Sequence, residues 1–303
     1  MADGGGDIVE GAKRAKRLLH GLLVLLIAAL VFRSFTFFAG HLLRWLADTW
    51  TKGALPEARL WFFLDAAQLY AFSYMAALVF LIVRFVEGRR IRTLGLHRAH
   101  WFREYLAGAG VGASMVGLVV LALALFGCVT VESPPGQPTG LAAAAPLAVF
   151  FLGYVVQGGT EEVVSRGWIL TSVSARHNRA WGVALSTLFF LACHALNSGV
   201  NPLAYMNLAL FGLFASLYVL RTNSLWGACG FHSAWNFALG NLFGLDVSGL
   251  PSNATALDLK TRGSTLLTGG AFGPEAGLPV SAALGLGILW FLVTAKAREK
   301  AAR

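Results

Sequence analysis

Residues 18–32 have the sequence LLHGLLVLLIAALVF, an apolar run without any Asp, Glu, Lys or Arg. Similar runs with almost no charge occur at 72–83, 111–126 and 284–293. A helix that crosses a bilayer needs about 20 mostly apolar residues, and several of these windows reach that length with their flanks. The chain is 56% hydrophobic and only 13% charged, whereas soluble domains contain about 25% charged residues. These features predict an all-α polytopic membrane protein.

The apolar pattern predicts about eight transmembrane helices in one helical membrane domain, residues 18–303, after a cytoplasmic N-terminal tail of residues 1–17. No internal repeat and no second domain is evident. The predicted helices span roughly 18–38, 60–83, 105–127, 144–173, 180–196, 203–220, 225–243 and 279–295.

The distribution of basic residues supports this topology. With a cytoplasmic N-terminus, eighteen of the 24 Lys and Arg residues fall on the inside. This bias fits the positive-inside rule and predicts that both termini are cytoplasmic. The six on the outside are Arg33, Arg44, Lys52, Arg59, Lys260 and Arg262. In a soluble protein, the net charge of +9 would suggest nucleic acid. Here the basic residues flank apolar blocks, so we expect the partner to be the lipid bilayer and not nucleic acid.

Polar groups inside an apolar chain are costly and therefore indicate function. The first set lies in GGTEEVVSR, residues 158–166. Glu162 and Arg166 are four residues apart, so they share a helix face and can pair. Glu161 points about 140° away from Arg166 at 100° per residue. One acid can thus be neutralised locally while the other faces a cavity.

Two further sets follow on later helices. FLACH ends at His194, and HSAWN places His232 and Asn236 four residues apart on one helix face. The depths of these groups along their helices agree with that of Glu161, so the four side chains can meet in the inner half of the bilayer. A carboxylate and an imidazole can activate water, while a second imidazole and an amide can stabilise an oxyanion.

The three motifs, in this order on successive apolar segments, resemble those of the CPBP family. That family includes the CAAX prenyl endopeptidases related to Rce1 and bacteriocin-processing proteins. The resemblance covers about residues 145–245, the expected catalytic core, and a weaker likeness extends to Gly269–Glu275. It implies an intramembrane endopeptidase in which Glu161 and His194 activate water. His232 and Asn236 would then hold the oxyanion, with Glu162 and Arg166 in support.

The same residues are also compatible with a metal site. Glu161, His194 and His232 have the ligand types of a zinc site, but there is no His-Glu-x-x-His motif and Asn236 is a poor zinc ligand. We therefore expect metal-free, glutamate-dependent hydrolysis, with zinc as the alternative. A cysteine nucleophile, Cys193 or Cys229, is a further alternative without an evident charged partner.

The expected substrate is a membrane-associated protein or peptide, prenylated only where the host makes such substrates. Peptide maturation, surface-protein sorting and immunity are equally open. The main rival is a catalytically silent membrane regulator or binding protein of the same fold. A proton-coupled transporter would be expected to show repeated broken helices, and none is evident.

Overall fold

The computed structural model describes residues 7–52, 57–132, 143–252 and 254–301. Residues 1–6 of the predicted tail lie outside this range, as do the side chains of the basic residues Lys52, Lys296, Arg298, Lys300 and Arg303. The helices are α1 (Ile8–Lys13), α2 (Gly21–Lys52), α3 (Glu57–Leu81), α4 (Trp101–Leu125), α5 (Ala144–Glu162), α6 (Thr171–Arg176), α7 (Arg179–His194), α8 (Pro202–Thr222), α9 (Trp226–Phe237), α10 (Thr265–Thr268) and α11 (Leu278–Ala301).

Six helical stretches of the described chain are long and apolar enough to cross a membrane. They are Gly21–Trp50, Arg59–Val86, Trp101–Leu125, Ala144–Arg176, Pro202–Thr222 and Leu278–Ala295. The prediction of an all-α, multi-pass membrane protein is therefore confirmed.

The exact count of eight stays a prediction. Helices form at both remaining positions, but α7 has only 16 residues. At 1.5 Å per residue this length gives about 24 Å, which is short of a hydrocarbon core of about 30 Å. The helix α9 has 12 residues and continues as a π-helix over Ala238–Leu242.

The first membrane helix is longer than predicted. It was expected to end near residue 38, but α2 continues to Lys52. The prediction followed hydrophobicity, which falls where His41, Arg44 and Asp48 begin to appear. Polar side chains do not end a helix, because the backbone hydrogen bonds continue regardless of where the apolar run stops.

The helix that carries the acidic motif changes its winding within the motif. The α-helical bonds of α5 end at Glu162, and Val163–Leu170 form a π-helix before α6 completes the stretch. Every residue from Val163 to Leu170 is buried. Such π segments inside longer helices are rare and occur frequently at functional sites.

Close packing of α4 against α9 fixes the helix that carries His232 and Asn236. A Cβ atom on Gly108 would collide with the carbonyl of Gly227, and one on Gly112 with the carbonyl of Phe231. Gly230 in turn approaches the carbonyl of Tyr105. Gly108 and Gly112 form a GxxxG pair, and the absence of their Cβ atoms permits this close approach.

Among the described residues, the segment before α11 contains short elements and no further long helix. Strand β1 (Val129–Glu132) pairs antiparallel with β2 (Asp258–Thr261), with Val129 opposite Thr261. Short 3₁₀ turns at Gly270–Phe272 and Pro274–Ala276 follow α10.

At the N-terminus, α1 packs against α6, with Ile8, Val9 and Ala12 buried. The side chain of Asp7 caps α1 and forms an ion pair with Arg179.

Candidate active site

A cavity of about 390 Å³ lies between the helices. Glu161, His194, His232 and Asn236, the four predicted catalytic residues, all line it. Its apolar walls include side chains from both N-terminal membrane helices and from α11, namely Phe32, Phe35, Ala39, Leu43, Leu69, Phe72, Val280 and Leu284. The cavity therefore combines a polar cluster with apolar surface.

The two adjacent acids have different neighbours, as their spacing predicted. Glu162 and Arg166 are completely buried, and the Nη1 atom of Arg166 lies 2.8 Å from Oε1 of Glu162. The guanidinium carbon of Arg166 lies 4.6 Å from the ring centroid of Phe190, which adds a cation–π contact. Glu161 instead lines the cavity.

Glu162 has a second partner that the sequence did not reveal. Its Oε1 atom also lies 2.9 Å from Nδ1 of His232. An ionised carboxylate can only accept hydrogen bonds, so Nδ1 of His232 is the donor. Glu162 therefore orients the imidazole and leaves its Nε2 atom directed at Glu161, where Nε2 lies 3.7 Å from Oε2.

One carboxylate oxygen of Glu161 accepts a hydrogen bond from the protein, and the other does not. The Nε2 amide of Gln157 donates to Oε1 of Glu161 at 2.7 Å. The Oε2 atom is buried and has no hydrogen-bond partner among the described residues. A buried carboxylate oxygen of this kind needs a partner, and a water molecule or a reacting group in the cavity can supply it.

His194 is oriented by the backbone of its own helix. Its Nδ1 atom lies 2.8 Å from the carbonyl oxygen of Phe190. Because a carbonyl only accepts, Nδ1 carries the proton and Nε2 of the neutral ring keeps a lone pair. The ring of Phe190 lies 4.6 Å from that of His194. Phe190 therefore supports both His194 and Arg166, which explains its place in the motif.

Asn236 is linked to the acid through Gln157. The Nδ2 amide of Asn236 donates to Oε1 of Gln157 at 2.9 Å. Gln157 lines the same cavity but lies outside the three motifs. Only its position four residues before Glu161 could have signalled that it shares a helix face with the acid.

Glu275 is a further buried acid at the cavity, and the sequence gave it only a weak signal in the Gly269–Glu275 stretch. Trp235 Nε1 donates to Oε1 of Glu275 at 2.9 Å. The backbone N–H and the hydroxyl of Ser248 donate to Oε2 at 2.5 and 2.8 Å. Glu275 thereby attaches the loop around Ser248 to the residue that precedes Asn236.

A second buried ion pair supports the π-helix from outside the membrane spans. Arg89 Nε lies 2.7 Å from Oε2 of Glu87, and Oε1 of Glu87 accepts from Trp168 Nε1 at 2.9 Å. Burial lowers the pKa of Arg89, and the negative charge of Glu87 opposes this shift. Arg89 also donates to Thr171 and Ser172 at 3.2–3.4 Å. These contacts hold Trp168, Thr171 and Ser172 against the segment that contains Glu87 and Arg89.

The three residues with the ligand types of a zinc site, Glu161, His194 and His232, all line the cavity. Within the described ranges, no group of three or more His, Cys, Asp and Glu side chains is arranged to hold a metal ion. Of the two cysteines considered as nucleophiles, Cys193 lines the cavity. Cys229 is buried, and its thiol points at the carbonyl of Gly159 at 4.0 Å.

The comparison with known families agrees with the motifs. Residues 143–238 match the family model described as type II CAAX prenyl endopeptidase, Rce1-like. This match confirms the resemblance predicted from the sequence and contains all six motif side chains, from Glu161 to Asn236. No curated protein and no solved structure gave a match. The family is one of polytopic membrane proteases, so the match points to intramembrane proteolysis by a CAAX-type endopeptidase.

Proposed function

We propose that the protein hydrolyses a peptide bond of a membrane-associated protein or peptide, using water activated by Glu161 and His194. The buried, unpartnered Oε2 atom of Glu161 is the observation that carries this proposal. It lies in a cavity that also contains His194, whose Nε2 atom has a lone pair available. Both groups can accept a proton, and neither is consumed by an ion pair with Arg166.

In the proposed reaction, a water molecule bound at Glu161 gives up a proton to this carboxylate, with His194 assisting. The resulting hydroxide attacks the peptide carbonyl carbon, and negative charge develops on the carbonyl oxygen. When the C–N bond breaks, the proton held by the site passes to the leaving amine. General acid–base transfer of this kind contributes about 10²–10⁴-fold to the rate.

His232 and Asn236 are proposed to donate hydrogen bonds to the oxyanion. Since Nδ1 of His232 already donates to Glu162 at 2.9 Å, a second donation from Nε2 needs a ring that carries both protons. Asn236 uses one amide hydrogen for Gln157, and its second remains for the oxyanion. Loss of one such donor costs about 10²–10³-fold in turnover.

We further propose that this hydrolysis needs no metal ion, a proposal supported by the finding that, among the described residues, no three His, Cys, Asp or Glu side chains are grouped to hold one. Purified protein treated with a chelator and then dialysed is expected to keep its activity. Activity that is lost to the chelator and restored by zinc alone would reverse this proposal. It would then assign Glu161, His194 and His232 as ligands.

The function is tested with Glu161→Gln, which keeps the size of the side chain and removes its ionisable group. Terminal proteomics on membranes from cells with the wild type or the variant identifies peptides cut only by the wild type. A synthetic peptide with such a site is then assayed with purified proteins. Glu10→Gln, at an acid half exposed beside Lys13, is the matched control.

We expect Glu161→Gln to melt like the wild type and to be nearly inactive, and Glu10→Gln to be fully active. A well-folded Glu161→Gln protein with near-normal turnover would overturn the assignment of the base. Membranes that show no wild-type-dependent cleavage would instead favour the silent regulator of the same fold.

A further inference from the structure

Three polar side chains form a continuous hydrogen-bonded chain along the cavity. Asn236 donates to Gln157 at 2.9 Å, and Gln157 donates to Glu161 at 2.7 Å. Gln157 is only 8% exposed and Asn236 only 6%. The middle residue therefore has both ends of its amide engaged and little access to competing solvent.

The close approach of two helices makes this chain possible. Gly158, directly after Gln157, faces α9, where an added Cβ would lie 3.1 Å from the backbone nitrogen of Ser233 and 3.3 Å from Cγ of His232. A larger residue at Gly158 would need these atoms to move apart. The glycine thus lets the amide of Gln157 reach a side chain on the neighbouring helix.

The chemistry of the three groups fixes the direction of the chain. The carboxylate of Glu161 accepts but cannot donate, so the NH₂ end of Gln157 faces it. The carbonyl end of Gln157 then faces Asn236, and an acceptor there requires the NH₂ end of Asn236. Because the Glu161 carboxylate can only accept, Gln157 presents its carbonyl oxygen to Asn236. The NH₂ end of the Asn236 amide must therefore face Gln157.

From this polarity we infer that Gln157 is a positioning residue for the proposed hydrolysis. It holds the amide of Asn236 with its donor end toward the reacting carbonyl and occupies Oε1 of Glu161, so that Oε2 alone is free for water. This inference rests on the proposed function, because it assigns Asn236 as an oxyanion donor and Glu161 as the base.

Without Gln157, the amide of Asn236 is free to turn over. A reversed amide presents its oxygen to the developing oxyanion, and two electronegative oxygens then repel each other. Preorganised donors owe their effect to being fixed before the reaction begins. The loss should therefore fall on turnover and leave substrate binding largely unchanged.

The test compares Gln157→Met with Lys13→Met, using the synthetic peptide that carries the mapped cleavage site. Methionine keeps a long unbranched side chain and removes both ends of the amide. Lys13 is half exposed beside Glu10 on α1 and does not line the cavity, so its variant controls for replacing a long polar side chain by methionine. Each protein is assayed for kcat, KM and melting temperature.

We expect Gln157→Met to lower kcat by about tenfold to a hundredfold, less than the about 10²–10³-fold for an oxyanion donor removed outright. KM should stay within about twofold, because the interaction is used in the transition state and not in binding. Lys13→Met should keep the wild-type kcat. A merely structural role would lower the melting temperature without this separation of kcat from KM.

A double-mutant cycle then tests the route through Asn236. If Gln157 acts partly by orienting that amide, Gln157→Met should cost clearly less in an Asn236→Ala background than in the wild type. Equal losses in both backgrounds would overturn the inference. If Gln157→Met does not fold, Gln157→Ala replaces it, because this variant also removes both ends of the amide and leaves space for water. It should show the same loss of kcat.

Failure of this inference is distinguishable from failure of the proposed function. An inactive, folded Glu161→Gln together with a normal Gln157→Met would remove the positioning role and leave the proposed function intact. An active Glu161→Gln would remove the assigned base, whatever the Gln157 variants do.

Discussion

The buried pair of Arg166 and Glu162 allows a sharp prediction about stability. Both side chains are 0% exposed, and their charged atoms are 2.8 Å apart. Arg166→Met keeps most of the side-chain length but leaves Glu162 without its counter-charge. Breaking a buried pair in this way costs about 3–5 kcal/mol, and the lost cation–π contact with Phe190 costs about 0.5–2 kcal/mol more. The remaining hydrogen bond from His232 offsets part of this loss.

We therefore expect the unfolding free energy of Arg166→Met to fall by at least about 3 kcal/mol, measured by denaturant titration of the purified protein in mixed micelles. Adding Glu162→Gln removes the second charge while the amide oxygen can still accept from His232. The double variant should recover most of the lost stability, since replacing both partners is often neutral.

The half-exposed pair of Lys13 and Glu10, 2.6 Å apart, supplies the control. Lys13→Met should cost no more than about 1 kcal/mol. An Arg166→Met protein as stable as the wild type would refute the reasoning. So would a double variant no more stable than the single one, because the cost would then not come from an unpaired buried charge.

Topology, helix packing and one acidic side chain outside the membrane spans each give a further prediction. Reporter fusions after Arg17 and after Arg303 should both be cytoplasmic, and opposite sides would contradict an even number of crossings. Gly112→Ala should lower stability by about 1–3 kcal/mol through overpacking against the Phe231 carbonyl, whereas Gly117→Ala, with nothing within 4 Å, should melt like the wild type. Burial raises the pKa of Asp246 although Lys260 opposes this, so charged Asp246 is unfavourable. Asp246→Asn should thus melt above the wild type at neutral pH, and the gap should close as pH falls through the raised pKa. A gap that stays constant with pH would contradict this cause.

The sequence predicted the helical membrane fold because uncharged apolar runs long enough to span a bilayer rarely occur in soluble domains. It predicted that Glu162 pairs with Arg166 because a spacing of four residues is local to one helix. It also predicted that Glu161, His194, His232 and Asn236 share a cavity, through their depths along the helices. Their catalytic roles stay predictions.

The contacts between helices could not be predicted from spacing. The second partner of Glu162 is His232, which is 70 residues away, and the link from Gln157 to Asn236 spans 79 residues. The π-helix after Glu162 was also missed, because every residue from Val163 to Leu170 is buried and the stretch therefore has no exposed face whose shift would reveal the change in winding. The sequence did not predict that Glu275 is a buried, hydrogen-bonded acid, because its partners, Trp235 and Ser248, come from other segments.

The residues that line the cavity come from two parts of the chain. All polar motif side chains lie within 143–238, whereas the apolar walls contributed by Phe32, Phe35 and Phe72 lie outside this stretch. The residues proposed for bond cleavage and part of the apolar surface of the cavity are thus encoded in separate stretches of the chain. If the proposed cleavage takes place in this cavity, a chimaera that exchanges α2 and α3 between two such proteins should change substrate selectivity and leave the polar cluster unchanged.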